Sequence, residues 1–217
     1  MISVIYLSLF IFNNILADEP QCKQEKDHTY SCEVSPDVVV DCLLTDLVDR
    51  KDKLQNSSID DKTFQKEVNE IITQDILPTL DIDYMAANIV GRYNWKNSTE
   101  KEKARLRTLL QEIAIEEYGD FIRELDKNYP IKFYPPRRIN KDNTPVYGIL
   151  KDDKKSLTVG FYLSCKNTDS THESWKINDL TVDNISFLDH MRLTVASTIR
   201  SSGLKGLNDK LEEARNK

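Results

Sequence analysis

The residues able to do chemistry are few and scattered. His28, His172 and His190 lie far apart, and none stands in a metal-ligand spacing such as HExxH. No GxSxG, P-loop or GxGxxG run is present. Asp81 and Asp83 in "LDIDYM" could form a catalytic carboxylate pair, but an aspartate just before an apolar helical run is explained by capping. "KDDKK" (151–155) could be a cation site and reads more simply as a solvated hairpin turn. Asp179 is the one acid on an expected inward-facing strand, where alternation with Trp175 and Ile177 would point it inside. Asn-x-Ser/Thr sequons begin at Asn56, Asn97 and Asn184 and read as chance matches in an Asn-rich chain. No metal site, cofactor or catalytic group is expected. An exported domain without a reactive constellation is more often a binder.

Export is inferred from the N-terminus. "MISVIYLSLFIFNNILA" is apolar and uncharged and ends in the small residue Ala17 before "DEP", as a secretory signal peptide cleaved after residue 17 would. Its apolar run, Ile2 to Phe12, is short of the roughly 20 residues that span a bilayer. The remaining chain suits one globular domain: 217 residues in all, 39% hydrophobic and 30% charged. A net charge of −6 argues against a nucleic-acid partner. In an oxidising compartment the four cysteines are allowed disulfides, with three possible pairings. The simplest is Cys22 with Cys32, across a short polar segment, leaving Cys42 and Cys165 as buried thiols.

The first half has helical periodicity. Residues 18–35 read as a loose polar leader, and the domain as 36–217. Pro36 opens a helix through Val39, Cys42, Leu43 and Leu47 to about Leu54. Ser58, with Asp61 three residues on, is a capping candidate for a second helix carrying Phe64, Val68, Ile71 and Ile72, which Pro78 closes. Asp81 caps a third, with Ile82, Met85, Ala86, Ile89 and Val90 on one stripe and Gly91 at its exit. Thr99 and Glu102 form a capping box for a long helix to about Lys127. The aromatics Tyr93 and Trp95 are thus held between two capped helix ends.

From Tyr129 the period changes to two. "IKFY", "TPVYGILK", "SLTVGFYLSC" and "SWKINDLTV" read as strands. A last helical region, with Leu188, Met191, Val195 and Ile199 on one face, runs to Gly203, and Leu204, Leu207 and Leu211 suggest a short helix beyond. Helices followed by a meander give an α+β domain. The expectation is helices packed on one face of a strongly bent, mainly antiparallel sheet of about four strands.

Two stretches carry a family resemblance. "ILPTLDIDYMAANIVGRYNWKNSTEKEKARL" has an aliphatic–Pro stretch, an Asp, an apolar helix ending in Gly, a Trp and a Thr–Glu helix start. These fall at Leu77, Pro78, Asp81, Met85, Gly91, Trp95, Thr99 and Glu100, with Tyr118 on the helix that follows. "SWKINDLTVDNISFLDHMRL" adds Trp175, Lys176, Asp179, Ser186 and Arg192. Together they resemble the MlaC family, periplasmic phospholipid-binding proteins of the Mla lipid-transport pathway, also called toluene-tolerance auxiliary proteins. The resemblance covers about Pro36 to Leu211. The chain departs from the family at Asn184, where Gly is usual, at Met191, where an aromatic is usual, and at Leu109 or Leu110, where Phe is usual. The Cys22–Cys32 segment is foreign to the pattern.

The resemblance implies a nuclear-transport-factor-like cone with an apolar cavity between sheet and helices. It implies a soluble, monomeric periplasmic carrier without cofactor. Such a protein would shuttle a phospholipid between an inner-membrane lipid ABC transporter complex and an outer-membrane lipoprotein complex, maintaining outer-membrane lipid asymmetry. The tails would lie against Met85, Ile89, Trp95, Leu110, Val146, Ile149, Val159, Phe161 and Trp175, with Arg137, Arg138 and Arg192 as candidates for head-group or docking contact. Two other classes fit the residues: a cone-shaped isomerase or dehydratase built on Asp179, and an exported interaction protein with a filled core. Intact-mass measurement of the exported protein is expected to show a chain beginning at Asp18; a mass retaining residues 1–17 would mean an uncleaved anchor.

Overall fold

The computed structural model describes residues 29–124, 131–151, 156–167 and 172–215. Helix α1 (Pro36–Gln55) begins at a proline whose missing N–H costs nothing in a first turn. It buries Val39, Val40, Cys42, Leu43 and Leu47. Helix α2 (Asp61–Ile71) is capped by Asp60, whose Oδ1 accepts the Thr63 N–H at 2.7 Å, rather than by the expected Ser58. Asp60 has the extended backbone a cap needs and stands immediately before the first helical residue. A π-helical turn (Ile72–Ile76) and a 3-10 turn (Leu77–Thr79) follow, and the first carries the buried Asp75 to an ion pair with Arg50 of α1.

Helix α3 (Ile82–Val90) is capped as expected, with Asp81 Oδ1 accepting the Tyr84 N–H at 3.0 Å. Gly91 ends it at φ 84°, a region open to glycine at little cost. The joint beyond is itself helical, α4 (Arg92–Asn97). Helix α5 (Glu100–Glu124) starts at a reciprocal capping box. The Thr99 N–H donates to Glu102 Oε2 at 2.8 Å, and the Glu102 N–H returns to Thr99 Oγ1 at 3.3 Å. The Thr99 N–H holds the Glu102 carboxyl below its usual range.

Six strands form one antiparallel sheet instead of the expected four. The path is β1 (Tyr30–Ser31), β5 (Glu173–Val182), β4 (Ser156–Asn167), β3 (Thr144–Lys151) and β2 (Ile131–Tyr134), and β6 (Ile185–Ser186) also pairs with β5. The additional strands have two residues each, too short for any alternation to show. The expected loose leader therefore ends in the sheet, with Tyr30 buried and paired to Trp175. The β5–β6 hairpin turns through Asp183 (φ 48°) and Asn184 (φ 65°), the positive angles a two-residue primed turn requires and Asn tolerates.

Beyond it, α6 (Phe187–Arg215) runs on through a break at Gly203, φ 63°. The second part packs along α5, where Arg105 pairs with Asp209 and Glu212, and Arg215 with Glu112 and Glu116. Of the expected elements, the tip of the 151–155 hairpin and the end of the long helix at 125–127 lie outside the described residues. No described helix is long and apolar enough to cross a membrane.

The cysteines correct the expected pairing. Cys32 is bonded not to Cys22, which lies outside the described residues, but to Cys165 on β4. Cys42 is disulfide-bonded as well, so neither it nor Cys165 is a buried thiol. Sequence proximity misled, because β1 and β4 both pair with β5 and the fold brings their ends together. The Cys32–Cys165 bond spans a sequence separation of 133. In the chain-entropy account a loop of that size stabilises by about 5 kcal/mol before any strain is subtracted. Replacing both cysteines with serine is expected to lower the unfolding free energy by about 2–5 kcal/mol, read from the guanidinium midpoint at unchanged slope. A loss below about 0.5 kcal/mol would mean that the bond constrains little.

Candidate binding site

Strand register decides which side chains share a face. Opposite Val146 stands Phe161, opposite Thr144 stands Leu163, and opposite Cys165 stands Trp175. With Ile177 these residues make the inner face, which packs on α1 and α2 as one apolar cluster. A second cluster joins α3, α5 and α6 through Met85, Ile89, Leu106, Leu110, Val195 and Leu207. Leu80, in the link between the 3-10 turn and α3, packs against both.

The residues predicted to line one cavity are divided between these clusters. Val146 and Trp175 are buried in the first, and Phe161 packs on it edge-to-face with Phe133 at 5.8 Å. The Trp175 indole N–H donates to the Val34 carbonyl at 2.9 Å, tying β5 to the segment after β1. Met85, Ile89 and Leu110 are buried in the second, with Trp95 partly buried against it. Val159 is buried but belongs to neither. Ile149, three residues from Val146, faces the opposite side of the sheet beside Thr158.

Beyond the first cluster the inner face continues through Leu150, Leu157, Leu180 and Val182. Among the described residues these side chains pack into neither cluster, and Val182 is 39% exposed. They form an apolar strip on the concave side of the sheet; sequence reasoning names Leu180 and Val182 as inward-facing and misses Leu150 and Leu157, although period-two alternation along β3 and β4 would have found them.

Asp179 does not face inward. Asn178 is an extra residue in β5, because Tyr162 pairs with Asp179 while Leu163 pairs with Ile177. This bulge reverses the alternation, so Leu180 continues the inner face and Asp179 joins Tyr162 on the other side. Its carboxylate accepts the Ser186 hydroxyl at 2.6 Å and the Leu180 and Leu188 N–H groups at 2.8 and 3.2 Å, clamping the start of α6. The feature that favoured a cone-shaped enzyme is thereby a structural clamp.

Two open hollows stand out among the described residues. One is a polar trough along α2 and the π-helical turn, from Lys62 to Gln74. The other, about 680 Å³, opens at the seam where Leu77 and Leu80 meet Ile82 and Ala104. Its polar lining includes Asp81, Asp83, Arg107, Lys166 and Lys176. Arg107 Nε donates to Asp83 Oδ1 at 2.6 Å, and its guanidinium lies 5.2 Å from the Trp95 ring centroid. Trp95 thus does two things at the joint, covering the second cluster and holding Arg107 at the seam, while Tyr93 is 80% exposed.

Lys166 Nζ stands 3.5 Å from Asp81 Oδ2, and Lys176 donates to the Pro78 carbonyl. Solvated pairs of this kind contribute only about 0.2–1 kcal/mol each, and the seam is joined chiefly by the Leu80–Ile177 bridge and the Asp81 N–H donating to the Ile177 carbonyl at 2.9 Å. The arginines named as candidates for head-group or docking contact do not line this hollow. Arg137 and Arg138 are exposed in the loop after β2, and Arg192 is exposed on α6 beside Asp189. Among the described residues no group of three or more His, Cys, Asp or Glu side chains could hold a metal ion.

Comparison with known proteins gives the fold a relative. The chain is similar to the phospholipid-binding protein from Ralstonia solanacearum, solved in complex with a phospholipid. The TM-score is 0.64 at 16% identity, over 81% of this chain and 92% of that one. No curated protein matches the sequence. The MlaC protein family profile matches residues 48–213, a span that holds α2 to α5, all strands except β1, and most of α6. With its helices laid on a curled antiparallel sheet and the Asp81–Gly91–Trp95–Thr99 signature at their junction, this chain belongs to the MlaC family.

Proposed function

We propose that the protein is a phospholipid carrier of the space between two membranes, exported by a signal peptide at residues 1–17 and acting through one domain. The tails lie against the concave face of the sheet, first on the strip Leu150–Leu157–Leu180. The residues predicted as lining part from one another along the Leu80 seam to cover them. The observation that carries this reading is the division of the apolar interior into two clusters beside an unpacked apolar strip. Family membership and a fold relative solved with a phospholipid support the same cargo.

The energetics require enclosure. A two-tailed lipid has on the order of 30 methylenes, so exposing them to water costs roughly 20–25 kcal/mol at about 0.8 kcal/mol each. A protein that covers both tails makes pocket and bilayer nearly equal in free energy. Transfer then runs either way, and its direction is set by the membrane complexes that receive the carrier, an inner-membrane transporter and an outer-membrane lipoprotein complex. No reaction is needed, and the protein acts as a binder rather than an enzyme.

Denaturing extraction of the purified mature protein, followed by mass spectrometry, is expected to give about one phospholipid per chain. Leu180→Asp, which places a charge on the strip beside Phe161 and outside both buried clusters, is expected to lower that occupancy at least fivefold at a melting temperature within a few degrees of wild type. A folded wild-type protein that takes up no lipid would instead support an exported interaction protein, the reading favoured by two well-packed clusters.

A further inference from the structure

The apolar strip is open at one end and walled at the other. On the inner face Phe133 of β2 stands opposite Gly148, Gly148 opposite Val159, and Val159 opposite Val182. Val182 in turn pairs with Ile185 in the β5–β6 hairpin, and these two are 39% and 68% exposed. Inward from this row, Phe161 stands between Val146 and Leu180. Phe133 and Phe161 meet edge-to-face at 5.8 Å, so two rings cross the concave face from the edge strand to β4. Past them, Val146 and Leu163 are wholly buried in the first cluster.

Gly148 makes this bar of rings possible. A Cβ there would lie 2.7 Å from the Phe133 ring and from Ile131 Cγ2, well inside ordinary carbon contact. The absent side chain is the room the ring occupies as it reaches over β3 toward Phe161. Both rings pack on the first cluster and stay partly exposed.

From these residues we infer that the Phe133–Phe161 bar is the stop for the methyl ends of the bound tails, so that the protein selects phospholipids by acyl-chain length. The inference rests on the carrier reading above and adds the size of tail that the strip accepts. Leu157, at the outer end of the strip, lies four residues from Phe161 on β4, about 14 Å at 3.4 Å per residue. A lipid tail occupies half of a hydrocarbon core about 30 Å thick, so about 15 Å. Strip and tail therefore match in length while the bar is closed. A longer tail leaves methylenes in water that a bilayer would cover, and each one weakens uptake about fourfold.

The mature protein is incubated with vesicles holding equal amounts of three phosphatidylcholines, with monounsaturated tails of 14, 18 and 22 carbons, then re-isolated and its lipids quantified. Wild type is expected to take the 14- and 18-carbon lipids within threefold of each other and to favour 18 over 22 carbons at least tenfold. Phe133→Ala removes one ring of the bar and is expected to cut the 18-over-22 preference below threefold. Val159→Phe sets a ring one row nearer the mouth and is expected to favour 14 over 18 carbons at least tenfold. Each readout is a ratio among bound lipids, which a loss of folded protein does not by itself change. Thr158→Phe, the neighbouring residue on the opposite face of the sheet, is expected to leave both ratios as in wild type.

Equal uptake of all three lengths by wild type would overturn the stop and leave the carrier intact. A wild-type preference that is unchanged in both Phe133→Ala and Val159→Phe would place the limit elsewhere and overturn the inference too. Uptake of no lipid by folded wild type would overturn the carrier and the stop together.

Discussion

Strand β5 is the member on which the rest of the molecule hangs. One edge pairs with β4 along nearly its whole length. The other would be open, and an open edge presents a row of unsatisfied backbone groups. Three separate pieces of chain cover it. β1 takes Ser174 and Trp175, Leu80 bridges Ile177 and is followed by the Asp81 N–H donating to the Ile177 carbonyl at 2.9 Å, and β6 takes Thr181 and Val182. The middle piece matters most, because it ties the start of α3 to the sheet just where the Asn178 bulge interrupts the ladder. The bulge and the bridge together decide where the helical layer meets the strands, and so where the seam lies.

Packing and opening pull against each other in such a protein. Each cluster is dense, and cores do not expand gradually: separating two packed surfaces gives up dispersion contacts at once. The division into two clusters is a way to hold both properties. Each half keeps its own core, and the two are joined through Leu80, the Asp81–Ile177 backbone bond, α5 against α1 and α2, and α6 against β5. The helical half is braced internally by the two arginines that join α5 to the last part of α6.

Much of this was legible in the sequence where the controlling interaction is local. Pro36, Asp81, Gly91, Thr99 with Glu102, and Gly203 each act within a few residues, and each element boundary they predict is found. Reading failed where distant residues decide. The Cys32–Cys165 pairing depends on β5 lying between β1 and β4, and nothing near Cys32 signals it. Asp179 was read inward by counting in twos from Trp175, and a single extra residue reversed the count. The candidate lining was chosen for apolarity, which marks a residue as buried without saying against what.

The position of the Cys32–Cys165 bond bears on the order of assembly. Cys32 follows β1 and Cys165 lies on β4, strands that do not pair with each other; both are placed by β5, which is made after them. Oxidation in the native pairing therefore waits until β5 has inserted between its neighbours, and the bond is a record that this step succeeded. Cys32 comes well before Cys165 in chain order, at a sequence separation of 133. Any earlier disulfide of Cys32 has to be exchanged before this bond can form.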